Sequence, residues 1–279
     1  ILLRRLPLGK MAYIPKGPVL CSEEAEVEQA LWKAIHAHAH RQRAVMLKIE
    51  PEWRDDEPDR HAWLARYGFV PSANTIQPRR TVIVDLLDDE ETILARMKSK
   101  WRYNIRLSMR KGVEVRAVGR EGMDVFYALM VITGERDGFG IHSRAYYERA
   151  YDLFAAHGRV QLLLAYAGGE PIAALMPFCF NGQAWYLYGA SANSGRELMP
   201  NHQLQWRAMQ WARSQGCTQY DLWGISDAGP GATEDNLSGV QRFKEGFGGE
   251  IVRYVGAYDY AYMAPVYRVV NRLWARRKR

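Results

Sequence analysis

Segments with helical and with strand periodicity alternate along the whole chain, and this alternation limits its possible folds more than any single motif. In the second half, the turn pairs Gly168-Gly169 and Asn181-Gly182 separate three apolar segments, which predicts an antiparallel meander. Each half mixes helices with short strands. The pattern therefore predicts an α/β (α+β) fold made of two modules of similar build. The predicted strands are 11–20, 44–49, 81–87, 113–118, 160–167, 171–180, 184–190, 219–224 and 252–258.

The longest predicted helix covers residues 88–112. Asp88 and Glu91 have the spacing of an N-terminal capping box, and Gly112 supplies a natural C-terminal stop. At the end of the chain, residues 265–279 are predicted to form a second amphipathic helix. The apolar positions that define the two faces are Ile93, Met97, Trp101 and Ile105 in the first helix, and Val266, Val269, Val270 and Leu273 in the last.

The composition favours a cytoplasmic globular protein. With 279 residues, 48% of them hydrophobic, the chain can bury one large core or two smaller ones. No run of about 18 apolar residues occurs, so no transmembrane helix is predicted. Residues 1–7 are too short and too basic for the apolar region of a signal peptide. Cys21, Cys179 and Cys217 are far apart and form no CxxC pair, which fits a reducing compartment.

The chain is basic, with a formal net charge of +7 and an isoelectric point near 9.3. Such chains often bind the phosphates of nucleic acids, nucleotides or anionic lipids. One basic block covers residues 98–111, where Lys100, Arg102 and Arg106 lie on the predicted helix, and another covers residues 276–279. For the helix, a phosphate contact and a solvated face explain the charges equally well. For the C-terminal block, a solvated surface is the simpler interpretation.

Several common catalytic and cofactor motifs do not occur in the sequence. There is no GxxxxGKS or GxxxxGKT phosphate loop, no GxGxxG after a strand and no GxSxG around a serine. The Arg/Gln-x-x-Gly-x-Gly/Ala loop of acetyl-CoA transferases is also missing, which weighs against a CoA donor. His36, His38 and His40 lie in a helical stretch without a carboxylate or cysteine at ligand spacing, so a surface cluster is favoured over a metal site.

The most informative local feature is the stretch Val240-Gln-Arg-Phe-Lys-Glu-Gly-Phe-Gly-Gly249. It places Phe243 and Lys244 side by side ahead of a glycine-rich turn, where backbone can approach a ligand or another strand closely. A lysine at such a turn can deliver a compact positive charge to an anion. From these residues alone, a helix end capped by glycine with a solvated lysine is the simpler interpretation.

A set of short motifs, in order from Tyr13 to about Gly256, resembles the Fem family of non-ribosomal peptidyltransferases, which build the interpeptide branch of peptidoglycan. Each motif is weak alone, but their order and short gaps make the resemblance specific. The matching segments are Tyr13-Ile-Pro-Lys-Gly-Pro-Val19, Thr75-Ile-Gln-Pro-Arg79, Lys98-Ser-Lys100, Arg110-Lys-Gly-Val-Glu-Val115, Glu135-Arg-Asp-Gly138, Trp185-Tyr-Leu-Tyr-Gly-Ala-Ser191, Tyr220-Asp-Leu-Trp-Gly-Ile225 and Gly239-Val-Gln-Arg-Phe-Lys-Glu-Gly-Phe-Gly248.

The resemblance implies two tandem GNAT-like domains of the compact type without a coiled-coil arm. The first domain would comprise residues 1–117 with 255–279, the C-terminal helix packing back on it, and the second would comprise residues 118–254 with the Phe-Lys pair. In the family, the first strands and a lysine that contacts the precursor's diphosphate precede the segment at which this chain begins. The resemblance therefore implies a first domain that is incomplete at its N-terminus.

The activity implied by the resemblance is aminoacyl transfer. The donor would be an aminoacyl-tRNA, and the acceptor would be the side-chain amine of a UDP-muramyl-pentapeptide or its lipid-linked form. A lipid-linked acceptor would add peripheral contact with the inner face of the membrane, and no cofactor beyond the charged tRNA is expected. A CoA-dependent GNAT-type N-acyltransferase is the alternative. A non-enzymatic RNA-binding module ranks last because the sequence has no RNA-binding signature.

The resemblance also assigns catalytic roles to the Phe-Lys pair. The reaction would be aminolysis of an ester that is already activated, so positioning and charge stabilisation are the main needs. Lys244 matches the lysine that would stabilise the developing oxyanion. Phe243 matches the aromatic residue that would stack on the terminal adenine of the tRNA.

Five further residues match substrate-binding positions of the family. Arg144 matches an arginine that holds the precursor's diphosphate, a task suited to the guanidinium fork. Either Tyr147 or Tyr146 matches its partner tyrosine, and Tyr188 matches another precursor contact. Glu50 stands where the family often has an aspartate that orients the acceptor amine. For Arg144 and Tyr188, ordinary surface and strand positions are the competing interpretations.

Overall fold

Two β-sheets organise the chain in a computed structural model that describes residues 1–20, 24–227 and 238–277. Contacts divide the chain into unit 1, Ile1–Arg80 with Val252–Arg279, and unit 2, Thr81–Ile251. The strands are β1 (Leu2–Leu6), β2 (Gly9–Pro15), β3 (Ala44–Glu50), β4 (Val70–Pro71), β5 (Arg80–Asp85), β6 (Glu114–Val118), β7 (Leu162–Ala167), β8 (Glu170–Phe180), β9 (Gln183–Ser191), β10 (Gln219–Gly224), β11 (Glu250–Arg253) and β12 (Tyr258–Ala261). The helices are α1 (Ala25–Arg41), α2 (Pro58–Arg66), α3 (Glu90–Arg96), α4 (Ser99–Arg110), α5 (Met123–Asp137), α6 (Arg144–Ala155), α7 (Pro200–Ser214), α8 (Ser238–Glu245) and α9 (Ala264–Arg277).

In unit 1 a five-stranded sheet has the order β1-β2-β3-β12-β4. β2 and β3 run parallel, and the other neighbouring pairs are antiparallel. β3 is buried along its whole length because helices cover both faces of the sheet. Trp32 of α1 and Leu64 of α2 pack on one face, and Val270 of α9 packs on the other. The expectation that the C-terminal helix packs back on the first sheet is confirmed.

The C-terminal helix divides the four apolar positions that the sequence placed on one face. Val270 is buried and Val266 packs beside it, whereas the side chains of Val269 and Leu273 are 41% and 38% exposed. The four positions share one face of α9, as predicted, but only part of that face is buried. One stripe of the helix packs in the apolar cluster, and the second stripe is left in solvent.

In unit 2 a seven-stranded sheet has the order β11-β5-β10-β9-β8-β7-β6. β6 to β9 form the predicted antiparallel meander. β9 and β10 pair in parallel, but only from Gln183–Gln219 to Trp185–Asp221. Beyond these pairs the two strands are no longer paired, which leaves a gap between them.

A β-bulge changes the face to which the middle of β9 points. The pairing with β8 passes from Tyr186–Pro177 to Tyr188–Met176, so Leu187 is an extra residue in β9. Tyr186 consequently packs against the core that includes α7, and Tyr188 packs against the core under α5 and α6. Residues two apart on a regular strand would share one face.

The predicted long helix is two helices, α3 and α4, with a break at Met97 and Lys98. Both residues are extended, and the Lys98 amide donates a hydrogen bond at 2.9 Å to the carbonyl of Gly246 instead of continuing the helix. The N-cap is Asp89, which accepts a hydrogen bond from the Thr92 amide, rather than Asp88. The predicted apolar face is kept across the break, because Ile93, Met97 and Ile105 belong to one core and Trp101 packs against it.

The predicted strand 252–258 is also divided. β11 belongs to the seven-stranded sheet and β12 to the five-stranded sheet, and the chain turns between them at Gly256, whose φ is +85°. Residues 81–117 lie in unit 2 because β5 pairs with β10 and α4 packs on α7. The compact units thus differ from the spans 1–117 with 255–279 and 118–254, which stay a prediction as GNAT-like domain boundaries.

Candidate active site

Lys244 lies on α8 with only 6% of its surface exposed. Its Nζ donates hydrogen bonds to the carbonyl oxygens of Gly224 at 2.7 Å and of Trp223 at 3.3 Å. The ring of Tyr186 lies 5.6 Å from the same nitrogen. The simpler interpretation of a solvated lysine at a helix end is therefore wrong, because the side chain turns inward and is held by the end of β10.

Burial lowers the pKa of Lys244 to about 8, and the negative charge of Asp221 opposes this shift. The ammonium form therefore loses its proton near pH 8 rather than near 10.5. A buried lysine with such a pKa can change between the ammonium cation and the neutral amine within the working pH range.

Asp221 shapes the backbone that holds Lys244. It is fully buried on β10 and accepts hydrogen bonds from the Thr81 hydroxyl and, at 2.7 Å, from the Trp223 amide. These bonds stabilise Trp223 at φ +65°, a conformation that L side chains rarely adopt. The carbonyls of Trp223 and Gly224 are thereby directed at Nζ. The sequence contained a signal for Asp221, a lone carboxylate in an apolar strand, but it was not selected.

The site opens where β9 and β10 separate. Tyr186 directly follows the last parallel pair, Trp185–Asp221, and faces Lys244. Burial raises the pKa of Tyr186 to about 12, so its hydroxyl stays neutral near pH 7. The matching segment around Tyr188 contains Tyr186, but the alternation of the strand gave no reason to single it out.

Phe243 is half-buried beside Lys244 and packs against other aromatic rings. Its ring lies edge-on to His202 and to Phe247, with centroids 5.1 Å away in each case, and its carbonyl accepts a hydrogen bond from the Trp101 indole at 2.9 Å. Burial, with a smaller contribution from Lys100, lowers the pKa of His202 to about 4, so this imidazole is neutral near pH 7. Two edges of the Phe243 ring are thus already occupied.

The glycines after α8 allow close packing of backbone. A Cβ at Gly246 would lie 2.0 Å from the ring of Trp101, and a Cβ at Gly248, whose φ is +78°, would lie 2.5 Å from the Arg96 carbonyl oxygen. The glycine-rich turn therefore brings α8 against α3 and α4, which fixes where Lys244 stands.

A second cluster in unit 2 brings together the tyrosines matched from the sequence. The hydroxyls of Tyr146 and Tyr188 are 3.2 Å apart, and the ring of Tyr188 lies 5.1 Å from that of Tyr147. Tyr146 is 45% exposed, whereas Tyr147 is 1% exposed and its hydroxyl accepts a hydrogen bond from the His142 amide. Of the two adjacent tyrosines, Tyr146 offers the accessible hydroxyl. The His142 ring stacks on Tyr146 at 4.0 Å and had not been selected from the sequence.

Arg144 begins α6 next to this cluster. Ser143 caps the helix by accepting a hydrogen bond from the Tyr146 amide. The Arg144 guanidinium is half exposed and pairs with Asp124 and, at 2.9 Å, with Glu148. An anionic ligand at Arg144 would therefore compete with two carboxylates that are already in place.

Glu50 lies at the end of β3 in unit 1 and is 4% exposed. Its carboxylate accepts hydrogen bonds from the Tyr13 hydroxyl, the Ile76 amide at 2.7 Å and the Gln77 amide at 3.1 Å. Burial and the contact with Glu50 raise the pKa of Tyr13. Glu50 lines a small cavity beside Lys16, which makes it a rigidly held anion at the edge of a concave surface.

On the basic face of α4, one side chain binds backbone carbonyls and two others are exposed to solvent. The Arg102 guanidinium donates to the carbonyls of Ala95 and Met97 and so covers the end of α3. Lys100 and Arg106 are exposed. The described His, Cys, Asp and Glu side chains form no group of three that could hold a metal ion. In unit 1, His36 of α1 contacts the Tyr262 hydroxyl at 2.7 Å.

Comparison with known proteins gives this arrangement a family. A sequence profile of the FemAB family matches residues 68–170 and 167–274, which together exceed half of the chain. The chain belongs to the FemAB family. The Lipid II:glycine glycyltransferase of Staphylococcus saprophyticus is 26% identical over 94% of this chain and 80% of its own length. The same enzyme of Staphylococcus epidermidis is also 26% identical, over 94% of this chain and 79% of its own length.

Solved structures show the same fold. The crystal structure of FemX superposes with a TM-score of 0.88 at 24% identity, covering 96% of this chain and 85% of that one. A tandem GNAT protein from the clavulanic acid biosynthesis pathway superposes with a TM-score of 0.53 at 13% identity, covering 86% of this chain and 71% of that one. Both the family resemblance and the fold of two tandem GNAT-like domains are confirmed. Within the described residues, no helix has the length and apolar character needed to cross a membrane.

Proposed function

We propose that this FemAB-family protein is an aminoacyltransferase that moves an amino acid from an aminoacyl-tRNA to the side-chain amine of a peptidoglycan precursor pentapeptide, building the interpeptide bridge. The observation that carries the proposal is the buried Lys244, held by two carbonyls at the point where β9 and β10 separate. The names of the staphylococcal relatives support the class of reaction and a lipid-linked acceptor. Neither a cofactor nor a metal ion is part of the proposal.

The chemistry needs little from the protein beyond position and charge. The neutral acceptor amine attacks the ester carbonyl, a C–N bond forms and the C–O bond to the tRNA breaks, and the amine's proton leaves with the 3′ oxygen. The Lys244 ammonium has three N–H donors, of which two bind Trp223 and Gly224 among the described residues. The third is assigned to the oxyanion, where a charged donor in a dry site is most effective.

The surrounding residues divide the remaining tasks. The half-buried ring of Phe243 offers its remaining face to the terminal adenine of the donor. Arg144, Tyr146 and Tyr188 form the patch for the acceptor's phosphates and sugar, with Tyr147 as the buried support beneath them. The role of Glu50 in unit 1, accepting a hydrogen bond from the acceptor amine, is proposed on the family resemblance alone.

The decisive experiment supplies the purified protein with a set of charged tRNAs and either UDP-muramyl-pentapeptide or its lipid-linked form. The expected product is a pentapeptide extended by an amide-linked amino acid, measured by mass spectrometry. Uncharged tRNA and an acceptor with a blocked side-chain amine serve as controls. Turnover with acetyl-CoA, in the absence of any product from charged tRNA, would replace the proposal with a CoA-dependent N-acyltransferase.

A further inference from the structure

The positive charge of the chain is concentrated in two segments that are far apart in sequence. Residues 1–10 and 264–279 contain nine of the 38 Lys and Arg residues and none of the 31 Asp and Glu residues. The rest of the chain therefore carries 29 basic and 31 acidic side chains, and its formal charge is −2. These two segments account for the whole net charge of +7.

The two segments meet in unit 1. Residues 1–10 run through β1 into β2, residues 264–277 form α9, and Leu6 packs in the same apolar cluster as Trp274. Arg4 pairs in register with Met11, whose side chain lies under α9, so Arg4 points to the same side of the sheet as the helix. A cavity of ≈ 340 Å³ between them is lined by Arg4, Arg5 and Trp274.

Apolar side chains are exposed beside these charges. On α9 the pair Val269 and Leu273, four residues apart, forms an outer stripe that is 41% and 38% exposed. Arg268 and Arg272 are exposed next to this stripe. Leu8, in the turn between β1 and β2, and Met263, directly ahead of α9, are exposed as well.

We propose that the β1–β2 hairpin and α9 together form a docking surface for an anionic lipid bilayer. Basic side chains interleaved with exposed aliphatic ones suit the headgroup region, where arginines bind lipid phosphates while aliphatic groups enter the acyl boundary. Charge complementarity selects the anionic leaflet. The proposal deepens the proposed function, on which it rests for its purpose, by providing the surface that brings the enzyme to a lipid-linked acceptor.

An RNA partner fits this surface less well. Nucleic acid needs the basic charges, but phosphate backbones gain nothing from exposed leucine and valine side chains. Single-stranded RNA is bound largely through exposed aromatic rings, and the exposed large apolar residues here are aliphatic. The exposed aliphatic stripe therefore favours a lipid bilayer over RNA as the partner of this surface.

The test measures partition of the full chain between buffer and sedimented vesicles. Vesicles of phosphatidylcholine with phosphatidylglycerol are expected to bind the protein in a salt-sensitive way, and pure phosphatidylcholine vesicles are expected to bind it weakly. Arg4→Gln with Arg272→Gln is expected to lower the partition coefficient about 30-fold, because each basic residue near an anionic surface contributes a factor of about five. Leu8→Ser with Leu273→Ser is expected to lower it as well, and this loss does not depend on salt.

Matched controls lie outside the surface. Arg66→Gln on α2 removes an exposed charge, and Leu153→Ser on α6 removes an exposed leucine; neither should change vesicle binding. Circular dichroism verifies that each variant is folded. Equal binding to neutral vesicles, or surface variants that bind like the parent, would overturn the proposal. So would variants that leave vesicle binding intact but lose tRNA binding or self-association.

Failure here can be separated from failure of the proposed function. The surface variants should transfer an amino acid to soluble UDP-muramyl-pentapeptide at the parent rate and lose activity only on the lipid-linked acceptor in vesicles. A protein that binds vesicles but transfers nothing to either acceptor would leave the docking surface standing and remove the aminoacyltransferase proposal.

Discussion

Among the described residues two lysines are buried, one in each unit, and their surroundings differ in kind. Lys48 in unit 1 contacts the Asp259 carboxylate at 2.7 Å, the Ser72 hydroxyl at 2.6 Å and the Asn74 carbonyl at 2.9 Å. Among the described residues, Lys244 in unit 2 donates to two carbonyls and forms no ion pair with a carboxylate. The charge of Lys48 is thus balanced by a carboxylate in direct contact, whereas Lys244 is influenced by the charge of Asp221 without forming an ion pair with it. Burial is common to both lysines, and the type of partner distinguishes them.

The largest expected effect is on stability and concerns Lys48. Lys48→Met leaves the fully buried Asp259 without its counterion, and removing one partner of a buried pair costs about 3–5 kcal/mol. Urea unfolding, with the exposed Lys33→Met as control, measures the loss. Adding Asp259→Leu should recover much of it. A loss no larger than that of Lys33→Met would show that the pair is not balanced as described.

The second effect is on catalysis and concerns Lys244. Lys244→Met removes the donor assigned to the oxyanion, and loss of such a donor typically lowers kcat about 100- to 1000-fold. Folding should be less affected than in Lys48→Met, because the Lys244 ammonium forms no direct ion pair with a described carboxylate and methionine has a similar length. Initial rates at saturating acceptor, compared with Lys33→Met, measure the change. A kcat within threefold of the parent would make Lys244 a structural residue like Lys48.

The third effect separates activity from stability as pH rises. Burial lowers the pKa of Lys244 to about 8, so the unfolded chain holds this proton more tightly than the folded one. Between about 8 and 10.5 the contribution of this group to the free energy of unfolding should increase with pH, while the ammonium that we assign to the oxyanion disappears. A pH–rate profile should therefore fall near 8. In Lys244→Arg this fall should vanish, since guanidinium stays charged; a fall that persists belongs to another group.

The smallest effect concerns Asp221, which opposes the pKa shift of Lys244. Asp221→Asn keeps an oxygen that can accept from Thr81 and Trp223 but removes the charge, so the fall in the pH–rate profile should move to lower pH by roughly one unit. At a pH well below the fall, kcat should change less than tenfold. Rates across the range, with Asp227→Asn as the control, test this. An unshifted profile would reduce Asp221 to a purely structural role.

The fold was predictable from the sequence wherever local patterns decide structure. The meander through Gly168-Gly169 and Asn181-Gly182 depends on turns and alternation, and it is confirmed. The helix break at Met97 and Lys98 was not predictable, because it depends on a hydrogen bond to Gly246, which is remote in sequence. The outward stripe on α9 was missed for a similar reason: periodicity shows which residues share a face but not how much of the face is covered.

The candidate site was predictable only through the family motifs. They led to Lys244, Phe243 and the tyrosines, but the partners of these residues follow from folding. Asp221 becomes relevant only once the turn at Trp223 is known, and His142 only once its ring is seen against Tyr146. The motifs identify the candidate site residues themselves. The residues that position them are scattered along the sequence and follow no fixed spacing.

The extra residue Leu187 lies between two tyrosines that border different sites. Tyr186 borders the lysine and Tyr188 borders the tyrosine cluster, on opposite sides of the sheet, although the two residues stand two positions apart. Deleting Leu187 would restore the regular pairing of β8 with β9, with Tyr186 still opposite Pro177 and Tyr188 still opposite Met176, so each tyrosine would keep its face. The bulge therefore adds one residue of backbone between the two sites without changing the side of the sheet that each one occupies.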